Sequence, residues 1–137
     1  MSRKEVEIIV ISGVLEEAND SGWVAPSFAQ PEAKMNRVIF LSDCRNLNRQ
    51  FKRKPYPMPK MGEVLLNLEG FQYATSLDLT MGHYHIRLSN QASNLCTIIL
   101  PWVKYRYKRL TLGFSNSPDI LQEKMKKMFR GFRCIHV

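Results

Sequence analysis

Between Tyr73 and Leu88 the chain reads YATSLDLTMGHYHIRL, and up to Leu79 its polar and apolar positions alternate. Thr75, Leu77 and Leu79 fall on one side and Ala74, Ser76 and Asp78 on the other, which is the two-residue period of a half-buried strand. Asp78 is out of place in such a strand, because its short side chain favours bonds to nearby backbone. Two readings stand. Asp78 ends the strand and caps the turn through Thr80 to Gly82, or it is a carboxylate ligand for a hard cation at a strand tip. Two-metal nucleotidyl transfer uses ligands of that kind to clamp the attacking and leaving oxygens.

The same reading extends along the chain. Lys4 to Ser12 is compatible with helix or strand, since its β-branched run argues strand and the periodicity does not decide. Asn19 to Gly22 is a turn cluster, and Trp23 to Ala29 is extended, with Pro26 limiting it to a sheet edge. Pro31 to Asn36 is a polar hairpin loop, and Arg37 to Ser42 is the return strand. Pro59 suits a first helical turn, after which Met61, Val64, Leu65 and Leu68 recur at helical spacing until Gly70. That stripe is predicted to be core. Leu95 to Pro101 and Tyr105 to Leu110 read as a hairpin, with Arg106 and Lys108 on one face and Tyr105, Tyr107 and Arg109 on the other. Ser117-Pro118-Asp119 predicts a helix start, with Ser117 as N-cap and Asp119 favoured by the dipole. Leu121, Met125, Met128, Phe129 and Phe132 form its buried stripe, Gly131 ends it, and Cys134 to Val137 begins a strand.

Charge adds a partner to this outline. The 137 residues carry 20 Lys and Arg against 12 Asp and Glu, a formal charge of +8, and can bury the core of one domain. Residues 1–20 hold 2 basic and 5 acidic side chains, so the excess lies entirely beyond them and a polyanion is the implied partner. Arg49 to Lys60, RQFKRKPYPMPK, concentrates it: Arg49, Lys52, Arg53, Lys54 and Lys60 interleave with Phe51 and Tyr56. Cations for phosphate and aromatics for stacking suit a single-stranded or hybrid nucleic-acid groove, and a solvated loop held extended by Pro55, Pro57 and Pro59 is the alternative. The lysines and Arg130 of the last helix read as a solvated rim.

Cys44, Cys96 and Cys134 are odd in number and widely spaced, with no CxxC pair, which fits a reducing, intracellular compartment. The apolar run Ile8 to Leu15 is preceded by Glu7 and followed by Glu16 and Glu17, without a leader-type cleavage pattern. It is predicted to be a buried element. No stretch approaches membrane-spanning length, so no membrane partner is expected. His83 and His85 lack a third ligand at suitable spacing, so zinc is not expected.

The segments SGWVAP, FLSDCRNLN, KPYPMPK, LEGFQYATSLDLTMGHYHIRL, LCTIILPW, KYRY and NSPDILQEKM occur in an order that resembles the reverse transcriptases of gypsy-type long-terminal-repeat retrotransposons, from about Gly13 to the C-terminus. The resemblance implies an α+β fold: fingers over about residues 1–52 and 86–111, a partial palm over about 53–85 and 112–137, and an antiparallel sheet with packed helices. It implies a helix ending at Gly13. It makes Asp78 the first catalytic aspartate, binding Mg²⁺ with the carbonyl of Leu79. Arg37, His83, Tyr84, Leu112 and Gly113 then line a deoxynucleotide site, and Arg49, Lys52, Arg53, Lys54 and Tyr56 meet an RNA or DNA template–primer. Asp43 and Arg45 match the family's Asp–x–Arg pattern and read as a structural pair, a buried or semi-buried charge pair and loop anchor.

The chain departs from that family at several positions. Ile39 stands where an arginine usually grips the triphosphate, and Arg37 is two residues away, roughly 6–7 Å along the strand. His83 replaces the aromatic that usually excludes a 2′-hydroxyl. Val103 replaces a turn glycine, which implies strain if that position needs positive φ. The sequence stops before the aromatic–x–Asp–Asp motif that supplies two of three catalytic carboxylates. A truncated domain, inactive alone and prone to self-association through its incomplete palm, is the expectation. A non-catalytic nucleic-acid-binding module or a decayed retroelement product is the alternative.

Overall fold

A computed structural model of the chain describes residues 3–19, 22–32, 37–66, 70, 72–132 and 135. Its elements are α1 (Arg3–Ile11), β1 (Leu15–Glu17), β2 (Ala25–Glu32), β3 (Arg37–Ser42), α2 (Arg45–Gln50), α3 (Met61–Leu66), a 3₁₀ turn (Gly82–His85), α4 (Asn90–Leu95), β4 (Thr97–Ile99), β5 (Lys104–Tyr107) and α5 (Ser117–Met128). The α+β class expected from the sequence is the class observed.

The ambiguity over Lys4 to Ser12 is resolved as helix. Val6 is buried and Ile9 and Val10 half-buried, the i, i+3, i+4 set of one helical face packed on the core. The helix stops at Gly13, whose φ of +70° is one that favours glycine. There the Gly13 N–H donates to Val10 O at 2.9 Å and the Val14 N–H to Ile9 O at 3.1 Å, the paired bonds of a Schellman ending. That turn delivers Val14 and Leu15 into the core at the start of β1.

Five strands form one sheet in the order β1-β5-β4-β2-β3. Three of its ladders are antiparallel, and β2 and β4 pair in parallel, so the sheet is mixed rather than wholly antiparallel. The edge position expected for Pro26 is therefore corrected. β2 has neighbours on both sides, and Pro26 sits at the end of its short parallel ladder, opposite Ile99, with its carbonyl accepting from Asp43 N–H at 2.9 Å. β2 also runs on through Pro31 and Glu32, while residues 33–36 of the expected loop lie outside the described residues.

β5 carries the alternation read from KYRY. Tyr105 and Tyr107 are buried, and each such side chain contributes on the order of 1.5–3 kcal/mol in transfer terms. Arg106 faces the other way and lies opposite Glu16 on β1, with Nε donating to Glu16 Oε1 at 2.6 Å. Lys108 Nζ reaches Glu16 Oε2 at 2.9 Å, so one carboxylate joins two cations across the β1–β5 ladder. The Tyr107 hydroxyl hydrogen-bonds the Ser42 hydroxyl at 2.8 Å inside the protein, tying β5 to the end of β3.

Five local expectations are corrected. The stripe expected on α5 is only half-buried at Leu121, Met125 and Phe129, and Met128 and Phe132 are exposed. Leu95 belongs to α4, not to a strand: Ser89 Oγ accepts from the Ala92 N–H at 3.2 Å, and this cap starts a helix the alternation had hidden. Val103 is not among the described residues with positive φ, so its branched side chain carries no such strain. Asn116, not Ser117, is the N-cap of α5, because Ser117 is drawn inward to donate its hydroxyl to Thr111 O. The Met61–Leu68 stripe is not core among the described residues: Met61, Leu65 and Leu66 are exposed and only Val64 is half-buried, with Leu68 outside them. Apart from Ile135, the strand expected over Cys134–Val137 also lies outside the described residues.

Candidate nucleic-acid interface

The largest difference from expectation falls on the Asp78 segment. Its alternation is intact, yet residues 73–79 enter no ladder, and Tyr73 and Leu77 are 92% and 91% exposed. Alternation makes a strand only when a partner satisfies its backbone, and among the described residues none lies beside it. Asp78 is exposed, with no side-chain hydrogen bond or ion pair recorded among the described residues.

Past Asp78 the chain closes tightly. The Gly82 N–H donates to Leu79 O at 3.1 Å, and Met81 sits in the left-handed region at φ 52°, an uncommon conformation for a residue with a side chain. Gly82 is buried there because a Cβ would lie 3.1 Å from Leu79 Cδ2 and 3.6 Å from Leu121 Cδ2. The 3₁₀ turn thereby rests on α5.

His83 and Tyr84 diverge. His83 is half-buried, its Nε2 is enclosed without a hydrogen-bond partner, and burial lowers its pKa from the ordinary 6.5, so the ring is neutral at pH 7. Tyr84 packs against the hydrophobic core, and burial raises its hydroxyl pKa. Of the two, Tyr84 is a core side chain. Arg37 lies on β3 opposite Glu32, and its side chain is outside what the structure describes.

The basic segment is partly committed internally. Arg53 Nε donates to Asp119 Oδ2 at 2.9 Å and its Nη2 to Oδ1 at 3.4 Å, while the Tyr56 N–H donates to Oδ1 at 2.9 Å. Asp119 is 3% exposed, so this carboxylate is a buried staple rather than a helix-dipole ornament. The Arg53 hydrogen bonds, then that from Tyr56 N–H, lower its pKa. Lys126 Nζ stands 6.0 Å from the centre of the Tyr56 ring, a second tie to α5. Arg49, Lys52 and Lys54 are exposed, and Lys60 pairs loosely with Glu63 at 3.8 Å.

The third part is the loop before α5. Leu112 is 55% exposed. Gly113 allows a close backbone approach, and the neighbour is the protein itself: a Cβ would lie 2.7 Å from Ser42 O and 3.0 Å from Cys44 Sγ. Asn48 grips the same loop, donating to Gly113 O and accepting from the Ser115 N–H, both at 2.9 Å. Asp43 and Arg45 form the expected pair, with Arg45 Nη2 2.6 Å from Asp43 Oδ2. The expected burial is corrected: this is a surface pair, Arg45 being exposed and Asp43 only partly covered.

Asp119 and Asn48 were not singled out as site residues from sequence. Their partners lie 63–67 positions away, and no local pattern encodes them. What the structure unites is clear. The turn after Asp78, the Arg53–Tyr56 segment and the Leu112–Ser115 loop all abut the first half of α5.

Asp78 offers the hard oxygen a cation such as Mg²⁺ takes, whereas the Leu79 carbonyl already accepts from Gly82. Among the described residues, no group of three His, Cys, Asp or Glu side chains could hold a metal ion. The residues therefore fit one point of attachment and not a complete metal site. No helix of the described residues is long and apolar enough to cross a membrane.

No protein-family model matches the chain. It is 28% identical over 131 residues to the retrovirus-related Pol polyprotein from transposon 297 of Drosophila melanogaster, covering 92% of this chain and 12% of that protein. It is 27% identical over 135 residues to the Pol polyprotein from transposon gypsy of the same organism, covering 92% of this chain and 13% of that protein. Among solved structures, the foamy viral protease-reverse transcriptase in complex with dsDNA superposes with a TM-score of 0.87 at 18% identity, covering 98% of this chain and 28% of that one. The same enzyme with an RNA/DNA hybrid gives 0.84 at 18% identity, covering 100% and 19%. The chain is thus a relative of retrovirus-related Pol polyproteins, spanning about an eighth of their length, and it shares its fold with a segment of a viral protease-reverse transcriptase.

Proposed function

We propose that this chain is the fingers and first part of the palm of a gypsy-type reverse transcriptase, and that as a 137-residue polypeptide it binds template–primer without extending it. Fingers over about 1–52 and 86–111, and partial palm over about 53–85 and 112–137, agree with a sheet whose five strands all fall in the first set. The observation that carries the reading is the convergence on α5 of three separate segments: an exposed carboxylate turn, a basic and aromatic stretch, and a glycine loop. The Pol relatives, and the nucleic-acid complexes formed by the foamy viral enzyme, support an RNA or DNA duplex as partner.

In this scheme the primer 3′-hydroxyl attacks the α-phosphate of a deoxynucleotide seated near His83, Leu112 and Gly113, with Arg37 on the neighbouring fingers strand. Mg²⁺, when bound, neutralises charge on the transferring phosphoryl group. Asp78 would hold it, with Leu79 O as a secondary oxygen. One carboxylate does not seat two ions about 3.5–4 Å apart, so no catalytic step is assigned to these residues by themselves. The absence of a three-ligand cluster among the described residues favours, as second reading, a non-catalytic binding module or a decayed retroelement product.

Two further features of the proposal concern its setting. The free thiols of Cys44 and Cys96 support an intracellular location. The exposed Met61, Leu65, Leu66, Leu77, Met128 and Phe132 support self-association through the partial palm.

The test is the affinity for an RNA/DNA hybrid measured by fluorescence anisotropy along a salt series. Log affinity should fall linearly with log salt, because each phosphate contact releases condensed counterion and contributes about 0.7–0.9 to the slope. A slope near zero removes the basic segment from the account. Deoxynucleotide incorporation on an RNA template that vanishes in Asp78→Asn would overturn the expected inactivity.

A further inference from the structure

Five cations between Arg49 and Lys60 invite the view that all of them face the polyanion, but the packing of this segment divides them. Arg53 is the one whose guanidinium is held by a buried carboxylate through Nε and Nη2, although its side chain is 59% exposed. It supplies two of the three hydrogen bonds recorded on Asp119, at 2.9 and 3.4 Å, and the Tyr56 N–H supplies the third at 2.9 Å. Were Arg53 to turn to a phosphate, Asp119 would remain buried with a single donor. An uncompensated buried charge is strongly unfavourable, so the pair resists competition by an exposed anion. The neighbours differ. Lys52 and Lys54 are exposed and make no ion pair among the described residues, and Arg49 is likewise exposed at the end of α2.

We propose that Asp119 withholds Arg53 from the nucleic acid and uses it as a staple that fixes the course of residues 52–56 across α5, leaving Lys52, Lys54 and Arg49 as the phosphate-contacting cations. The inference rests on the nucleic-acid reading above and assigns a positioning role to two residues, one of which the sequence had placed in the interface. The staple acts on binding through geometry. It anchors the Tyr56 backbone at one end while Lys126 of α5 covers the Tyr56 ring, so the lysines that flank Arg53 are displayed from a fixed base. Asp119 also cancels the charge of Arg53 locally, so this stretch presents fewer effective cations than its composition suggests.

The test compares salt slopes for an RNA/DNA hybrid among single variants of the full chain, with a thermal melt of each. Lys52→Ala and Lys54→Ala should each lower the slope by about 0.7–0.9, the share of one phosphate contact. Arg53→Ala should lower the melting temperature and leave the slope unchanged. Asp119→Asn keeps the size and an acceptor for Tyr56 while releasing Arg53, and should steepen the slope by about the same share. A slope lowered in Arg53→Ala as far as in the lysine variants, with Asp119→Asn without effect, overturns the staple and leaves the nucleic-acid reading standing. Slopes equal to the parent in both lysine variants overturn the nucleic-acid reading itself. Should Arg53→Ala fail to fold, Arg53→Lys retains the charge, and under the proposal its slope equals or exceeds the parent's; a lowered slope counts against it.

Discussion

Asn48 holds Gly113 from across the molecule: its Nδ2 donates to the Gly113 carbonyl at 2.9 Å, and its Oδ1 takes the Ser115 N–H at the same distance. One side-chain amide thus mimics a strand partner for a loop that has none, and joins α2 to the entry of α5. Asn48→Ala removes both bonds and strands two backbone groups in a half-buried setting. The expected cost is about 1–3 kcal/mol, read from the midpoint of urea denaturation. Asn48→Asp keeps the acceptor but sets a carboxylate against Gly113 O, and should be no better than alanine. A midpoint unchanged in both would show that the loop is held by other contacts.

Gly113 should tolerate no side chain. A Cβ at that position would approach Ser42 O to 2.7 Å, and Ser42 is itself bonded to the buried Tyr107 hydroxyl at 2.8 Å. Gly113→Ala must therefore displace backbone, at an expected cost of about 1–3 kcal/mol. Calorimetry would show it as a drop of several degrees, since about 1 kcal/mol corresponds to roughly 3–4 °C for a domain of this size. Gly22→Ala, where nothing lies within 4 Å of the added carbon, is the matched control and should melt with the parent.

Acid should unfold the protein in two limbs. His83 is held below its ordinary 6.5 by burial, so the unfolded chain takes up this proton first and stability declines as pH falls through 6.5 toward the lowered value. The second limb belongs to carboxylates whose folded pKa is depressed, and their contribution is complete above the unfolded value and lost below it. Asp43 is held down to about 2 by Arg45, and Asp119 is lowered by Arg53 and the Tyr56 N–H, both from an ordinary 3.8. The second decline is therefore expected between about pH 4 and pH 2. Melting temperatures across pH check both limbs. His83→Gln should erase the first and spare the second.

Exposed apolar side chains on α3 and around Asp78 should make the chain associate. Leu65, Leu66 and Leu77 are 60%, 71% and 91% exposed, more apolar surface than a solitary folded chain usually shows. Residues 73–78, which enter no ladder among the described residues, add extended backbone open to pairing. Sedimentation velocity should show species larger than monomer that grow with concentration. Leu65→Lys with Leu77→Lys should shift the distribution toward monomer, and a parent monomeric at all concentrations would contradict the reading.

How much of this was legible beforehand follows from the range over which each feature is encoded. The KYRY alternation and the proline at the start of α5 are local patterns, and each came out as read or nearly so, whereas the helix ending at Gly13 followed from the family resemblance, the local run leaving helix and strand open. The Asp78 segment shows the limit of periodicity, because the alternation is present while the ladder that would give it meaning is not. The Met61–Leu65 stripe fails for a related reason: helical spacing identifies a face, and only a neighbour makes that face a core. α4 was hidden because six residues carry too little period to outweigh the β-branched run beside them. Within the candidate site, residue types marked a basic, aromatic stretch over Arg49 to Lys60 and an acidic residue at Asp78. They could not say that Arg53 is spent on Asp119, since that pairing depends on a fold bringing together residues 66 positions apart.

Amide hydrogen exchange of the full chain, with and without an RNA/DNA hybrid at low salt, tests the central claim most directly. Binding across the surface built on α5 predicts slowed exchange in residues 49–56, in the turn after Asp78 and in the 112–115 loop, with α1 and β1 unchanged. Protection confined to α1 and β1, or spread evenly over the chain, would place the nucleic acid elsewhere and contradict the account.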